Sequence, residues 1–473
     1  MNTLPALFEE RMRKLLPEES EAFFATLQTE PPVSIRLNPD KPAPISRLFP
    51  DEQIGLPVSW CESAYYLKSR PVFTLDPCLH SGTYYVQEAS SMFLYHIFGQ
   101  ILPAHPVRVL DLCAAPGGKS TLIASRLSSG SLLVANEVIR SRAGILKENM
   151  IKWGTSHVVV TNNDPADFHH LKGAFDIIVV DAPCSGEGMF RKDETAVSEW
   201  SLENVNVCWQ RQRRILQAIW GCLKPNGILI YSTCTFNREE NEDNVAWIAR
   251  ELGAEVLPIE TDAAWNISGN LTGGEFPVYR FLPHRTEGEG LFLAVLRKTC
   301  EDSYEPASKR NKKNKPTDQK QTVAYPKAVT EWIADHKQYE FSAENGTITA
   351  FPATWKDLYM RMKQTLRVIH AGITLAEQKG KDWQPSHSLA MSTQLAPQVF
   401  PLADLTYEQA IAYLRKEAIT LDASIPKGYV ILTYQNHPLG FAKNIGNRAN
   451  NLYPQEWRIR SGYMPEEVKT LLF

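Results

Sequence analysis

The chain has 473 residues, 50 Lys and Arg against 53 Asp and Glu for a net charge of −3, and 43% hydrophobic residues. Such a length is expected to divide into about two to four domains with apolar content ample for buried cores. The charge balance excludes a uniformly basic nucleic-acid binder, so any RNA would follow local basic strips.

No apolar run is long enough for a membrane helix, and Met1–Arg11 lacks the charged start and apolar stretch of a secretory signal. The eight cysteines, at 61, 78, 113, 184, 208, 222, 234 and 300, are too sparse for a disulfide scaffold. None falls in a C-x-x-C pair or a Cys/His cluster with zinc spacing, so no metal is expected. Reduced thiols in a cytoplasmic protein are the expectation.

Residues 1 to about 30 carry apolar positions at helical spacing, and Pro31-Pro32 end that pattern. Val33-Ser-Ile-Arg-Leu-Asn then alternates as a strand, with Arg36 and Asn38 opposite Val33, Ile35 and Leu37. Arg36 is therefore a candidate RNA contact, although an exposed arginine is commonly only solvated. An α+β module at 1–90 is expected. Ser90-Ser91 at its end suit either a helix cap or the lining of a cofactor cleft.

From residue 107 five apolar runs alternate with helical stretches: 107–112, 131–136, 157–161, 175–180 and 227–232. That is the pattern of a doubly wound α/β sheet, parallel and Rossmann-like, over 91–300, with its ligand edge at the strands' carboxyl ends. Leu291–Leu296 supplies a late strand. Residues 301–322 have the polar, basic composition of a linker whose lysines either solubilise or touch phosphates. A small intermediate module at 323–395 and a β-rich, barrel-like module at 396–473 follow. In the last, Lys443, Asn444, Asn447 and Arg448 share one turn, which suits a phosphate backbone or simply the turn itself.

Two passages beside the predicted ligand edge resemble a cofactor site. Asp111 ends the first strand, and Cys113-Ala114-Ala115-Pro116-Gly117-Gly118-Lys119 turns into a helix whose free N–H groups could meet a ligand. The turn is neither G-x-G-x-x-G nor a P-loop. Glu137, Asp164 and Asp181 end the next three strands. Such an acidic edge opposes pyrophosphate and suits a nucleoside bearing a sulfonium cation, namely S-adenosyl-L-methionine. Glu137 could accept from ribose hydroxyls, and Asp164 could face an adenine amino group.

Cys184 follows Asp181-Ala-Pro, and Cys234 follows Gly227–Thr233, so both lie in strand-end loops on the ligand edge. A lone cysteine is ordinarily a small buried hydrophobe, the reading kept for Cys113, Cys208 and Cys222. Two in such loops point to thiol chemistry. Cytosine C5 is a poor nucleophile until a thiolate adds at C6, and departure of the C5 proton then expels the thiol. No histidine neighbours either motif, which disfavours thiol-dependent hydrolysis.

Asp111–Lys119, Asp181–Gly188 and Ser232–Phe236 together resemble the three signatures of the RNA cytosine-5 methyltransferases, the NOL1/NOP2/Sun family. Pro283–Gly290 and the C-terminal modules further resemble its bacterial RsmF-type branch, which acts on small-subunit ribosomal RNA. The resemblance implies a class I methyltransferase domain in which residues 113–119, Glu137, Asp164 and Asp181 bind S-adenosyl-L-methionine. It implies Cys234 as nucleophile, Cys184 as the group assisting adduct release, and Asp181 as a further contact to the cytosine ring. It makes Arg191 and Lys192 candidate RNA contacts, and the last module, with Lys443 and Arg448, a PUA-like RNA-binding barrel. The partner it implies is 16S rRNA or the small ribosomal subunit, bound by a monomer. Transfer RNA or 23S rRNA as target, and a non-catalytic assembly factor, remain the alternatives.

Overall fold

The computed structural model describes residues 4–300 and 325–462; the expected linker at 301–322 and the end of the last module lie outside them. The five apolar runs form parallel strands: β1 (Arg108–Asp111), β2 (Leu132–Asn136), β3 (Val158–Thr161), β4 (Phe175–Asp181) and β5 (Leu223–Thr233). Their continuous hydrophobicity has a direct cause, because both faces of the sheet are covered. Helices Phe93–Ile101, Gly118–Arg126 and Arg140–Trp153 pack on the face of Val109, Leu133 and Ile177. Helices Leu202–Trp220, Glu242–Glu251 and Lys356–Thr365 cover Leu110, Val134 and Ile178.

The sheet is mixed rather than wholly parallel. Strands β6 (Ala254–Leu257) and β7 (Tyr279–Phe281) both pair antiparallel with β8 (Leu291–Lys298), which runs antiparallel to β5. At the other edge β9 (Val368–Ala371) pairs antiparallel with β3, giving the order β6-β8-β5-β4-β1-β2-β3-β9. The intermediate module thus donates a strand to the central sheet and covers an edge that would otherwise expose unpaired backbone. Its own sheet comprises Tyr339–Glu344, Thr347–Pro352, Ile373–Lys379 and Asp382–Pro385.

In the N-terminal module, Val33–Leu37 lies between Ala64–Leu67 and Tyr84–Val86. The last module holds a four-stranded sheet, Leu402–Asp404, Gly428–Tyr434, His437–Asn444 and Ala449–Asn451, beside helix Tyr407–Leu414. These two ends of the chain share one apolar core, in which Ile35, Leu67 and Tyr84 join Ala410, Tyr413 and Leu432. No helix of the described residues is long and apolar enough to cross a membrane.

The expectation for Arg36 is corrected here. It is 1% exposed. Its Nε donates to Gln87 Oε1 at 2.9 Å, its Nη2 to Thr121 Oγ1 at 2.7 Å, and its guanidinium lies 4.5 Å from the Trp153 ring centroid. Both faces of the strand are covered, so the alternation in sequence separates two buried environments rather than core from solvent. Asn38 is likewise buried, its amide donating to the Gly82 and Trp153 carbonyls.

Arg280 on β7 is buried and forked onto the equally buried Glu242, with Nη1 donating to Phe236 O at 2.8 Å. Arg280→Met should leave that carboxylate unpaired and cost about 3–5 kcal/mol, seen as a fall in the denaturation midpoint. Adding Glu242→Leu should recover most of the loss; a double variant no better than the single would contradict this account.

Candidate active site

β4 and β5 are parallel neighbours in a register that sets Asp181 opposite Ser232. The chain leaving each strand therefore emerges at the same point of the sheet edge. Cys234 directly follows β5 and Cys184 lies three residues beyond β4, and their sulfurs are 3.2 Å apart as free thiols.

Two buried carboxylates hold the loops in contact. Glu187 Oε2 accepts from the Phe236 and Asn237 N–H groups at 2.8 Å each, and its Oε1 accepts from Trp200 Nε1 at 3.0 Å. Glu240 accepts from Ser185 N at 3.1 Å, Gln212 Nε2 at 2.6 Å and Asn237 Nδ2 at 2.8 Å. Gly188 N donates to Cys234 O at 2.8 Å, and a Cβ at Gly188 would lie 2.8 Å from both Cys234 O and Gly290 O. Glycine is required by that close approach of three segments.

Asp181 accepts from Ser232 Oγ at 2.7 Å and from Lys119 Nζ at 2.8 Å. Burial alone would lower the Lys119 pKa, but the charge and hydrogen bond of Asp181 outweigh it and the ammonium is held more firmly charged. Gly117 adopts φ +120°, and the Arg142 and Asn149 side chains each donate at 2.8 Å to the carbonyls of Ala115 and Pro116. Asp111 is fully buried with Ser120 Oγ 2.6 Å from Oδ2, while Oδ1 has no partner; burial raises its pKa to about 7. The Cys113 thiol is pushed well up by burial and by Asp111, which makes it unreactive.

A cleft of about 380 Å³ opens at this edge. Cys113, Ala114, Ala115, Pro116, Gly118 and Lys119 line it together with Asp181 and Cys234, and so do Gln87, Ser91, Met189, Lys192 and Glu289. Cys184 sits behind Cys234, outside that lining. Glu137 is buried at the end of β2, accepting from Ile139 N at 2.8 Å with Arg142 at 3.8 Å. Asp164 is exposed and caps the turn Pro165–His170, accepting from Ala166 N at 2.9 Å. Of the two readings of Ser90-Ser91, Ser91 lines the cleft, and it is Glu88 that accepts from both their N–H groups at 2.8 Å.

Arg191, the first of the two candidate RNA contacts after the Cys184 loop, is largely committed to the protein itself. Its side chain is 7% exposed, and it donates to Thr29 Oγ1 and Glu30 O at 2.7 Å each, strapping the loop to the N-terminal module. Lys192 is more open and reaches the cleft. A second groove, lined by Pro31, Ser34, Arg70, Arg191 and Lys192, shares Gln87 and Glu88 with the cleft. Arg448 is exposed in the last module, and Lys443 lies there with Nζ 5.2 Å from the Tyr429 ring centroid; neither lines the cleft. Asn444 is buried and its amide goes to the Ile425 and Pro426 carbonyls, so turn chemistry explains it. Among the described residues no group of His, Cys, Asp and Glu is arranged to hold a metal ion.

The sequence reading passed over Glu187, Glu240 and Glu289. The first and last sit between glycines in quoted motifs, which was the available signal; Glu240, in a polar run, offered none.

A family model described as 16S rRNA methyltransferase RsmB/F matches residues 100–297, one for the N-terminal domain of 16S rRNA methyltransferase RsmF matches 4–89, and one for the methyltransferase RsmF PUA domain matches 400–459. The chain is 32% identical to ribosomal RNA small subunit methyltransferase F of Klebsiella pneumoniae (strain 342) over 473 residues, 96% of each chain. It is also 32% identical to the protein of that name from Enterobacter sp. (strain 638), covering 96% of this chain and 95% of the relative. A solved methyltransferase homolog from Pyrococcus horikoshii is 28% identical with a TM-score of 0.54, over 62% of this chain and 94% of that one.

The Cys184 thiol is pushed well above its ordinary pKa, first by its hydrogen bond with Cys234, then by burial and the Cys234 charge. Near neutral pH Cys184 therefore keeps its proton. Brief alkylation with iodoacetamide followed by peptide mapping should label Cys234 at least about 10-fold ahead of Cys184. Equal labelling would contradict this order.

Proposed function

As a member of the 16S rRNA methyltransferase RsmB/F family, the chain is an RNA methyltransferase, and we propose that it forms 5-methylcytosine in 16S rRNA by way of a covalent bond from Cys234 to C6 of the base. The observation that carries this reading is the pair of thiols in contact at 3.2 Å, one of which lines a cleft continuous with an acidic strand edge.

The residues present fit S-adenosyl-L-methionine. Asp111, Glu137 and Asp181 place carboxylates at neighbouring strand ends, Asp111 Oδ1 is buried without a partner, and the glycine turn leaves the cleft open. Such a donor set suits a cation and hydroxyls rather than phosphates. Residues 113–119, Glu137, Asp164 and Asp181 would hold it, and when bound it supplies a methyl group on a sulfonium.

The protein's own part starts with charge. The Cys184 S–H faces the Cys234 sulfur and favours a thiolate there. As the Cys234–C6 bond forms, electron density moves to C5, the position to be methylated. Forming that bond also removes the negative charge that had held the proton on Cys184. Cys184 then becomes able to release its proton to solvent water, and the thiolate so formed takes the proton from C5; the C5–H electron pair rebuilds the C5–C6 double bond and the Cys234–C6 bond breaks, releasing the Cys234 thiolate. Asp181, held by Lys119 and Ser232, is positioned beside this reaction as a further contact to the ring.

The groove lined by Arg70, Arg191 and Lys192 leads RNA toward the cleft, with Lys192 the open cation at the boundary. Lys443 and Arg448 extend the RNA surface onto the last module. The protein acts in the cytoplasm as a monomer on 16S rRNA or the small ribosomal subunit.

Bisulfite mapping of 16S rRNA with and without the protein should reveal the modified cytosine; an unchanged map would sink the proposed target. Cys234→Ala should lower methyl transfer by at least about 10³-fold, and undiminished turnover would rule out the covalent route. Cys184→Ala should instead accumulate a protein–RNA adduct that survives denaturing electrophoresis. Finding only free protein would remove Cys184 from the release step.

A further inference from the structure

Three acids line the cleft: Glu88, Asp181 and Glu289. Glu88 accepts from the N–H groups of Ser90, Ser91 and Glu289, and Asp181 accepts from Lys119 and Ser232. Glu289 differs. It is 3% exposed, yet neither carboxyl oxygen accepts a hydrogen bond from the described residues. Lys192 Nζ at 3.5 Å and Arg191 Nη1 at 4.0 Å provide countercharge at distances too long for a short, strong hydrogen bond. Burial raises its pKa, as expected for a carboxyl group taken from water with so little compensation. A buried acceptor left in this condition calls for a donor from outside the protein.

Its backbone is fixed on both sides. Glu289 N donates to Glu88 Oε1 at 2.9 Å, and Glu289 O accepts from Ser90 Oγ at 2.9 Å. The neighbouring Gly290 packs against Gly188, which itself donates its N–H to Cys234 O. The segment carrying Glu289 is thus joined through one glycine to the segment carrying the proposed nucleophile.

We propose that Glu289 reads the 4-amino group of the target base and is a specificity-determining residue for cytosine, an inference that rests on the cytosine-5 reading above. An ionised carboxylate only accepts. Cytosine presents N–H donors at position 4, whereas uracil presents an acceptor there, so the same side chain attracts one base and repels the other. Lys192, 3.5 Å from Glu289 Oε1, balances the carboxylate's charge.

The test compares wild-type protein, Glu289→Ala and the isosteric Glu289→Gln. The substrate is ligated 16S rRNA, free or assembled as the wild type requires, with cytosine, uridine or the deamino analogue 2-pyrimidinone at the mapped position. Glu289→Ala should lower kcat/KM on cytosine by about 100-fold while changing the 2-pyrimidinone RNA by less than about 3-fold. Glu289→Gln, which presents a donor as well as an acceptor, should reduce the preference for cytosine over uridine at least about 10-fold. Equal losses on cytosine and 2-pyrimidinone would assign Glu289 to packing, and no loss on either would remove it from the base edge; each overturns this proposal alone. Failure of the wild type to form 5-methylcytosine would overturn the functional reading, and this one with it.

Discussion

The parallel register that places Asp181 opposite Ser232 governs the site. Two strands that end side by side must release their loops side by side, and here both loops carry a cysteine. The contact still needs loops that cannot drift apart, because a thiol pair gains little from its own attraction. Glu187 and Glu240 meet that need by crossing between the loops and using backbone N–H groups and side-chain amides as partners. Such networks rigidify when every member is satisfied. The consequence reaches the chemistry directly, since proximity to Cys234 is the first cause that raises the pKa of Cys184.

Packing of the chain's two ends extends this order to the flanking modules. The N-terminal module and the last module share a core, and Tyr407 Oη donates to Leu75 O at 3.0 Å across it. Nearby, the buried Lys41 ammonium donates to Ser81 O at 2.8 Å and Lys152 O at 2.6 Å, the latter near the carboxyl end of helix Arg140–Trp153, and burial lowers its pKa to about 7. A cation there meets the helix's unpaired carbonyls and its negative dipole end. Arg36 does comparable work from the same module, joining Val33–Leu37 to Gln87 in the cleft wall and Thr121 in the helix after the glycine turn. The N-terminal module therefore supports the cofactor turn from behind as well as offering a surface.

Patterns in the sequence reached as far as periodicity and motif spacing could carry them. Five buried strands were readable as apolar runs, and the cysteine loops from residue types that strands disfavour. β9 was not readable: Val368–Ala371 is four residues long and pairs with β3, some two hundred positions earlier, through long-range contacts no local pattern encodes. Arg36 misled for a related reason. Alternation distinguishes the two faces of a strand, but solvent on one of them is an assumption. Glu240 was hidden because acids in polar stretches are ordinarily solvated, and only its tertiary partners distinguish it.

The division of charge around the cleft resolves how a chain of net charge −3 can serve an RNA substrate. Acids occupy the strand ends, where Asp111, Glu137 and Asp181 are suited to a cation and to hydroxyl groups. Basic groups lie farther out, with Lys192 at the boundary and Arg70 along the adjoining groove. A phosphate backbone would be repelled by the first region and attracted by the second, so the strand is held at the rim while a neutral base can enter. Lys119 fits the same division: paired with Asp181 and buried, it offers little to a phosphate and much to the shape of the site. Such a division would keep an RNA backbone away from the strand ends and admit the part of a nucleotide that carries no charge.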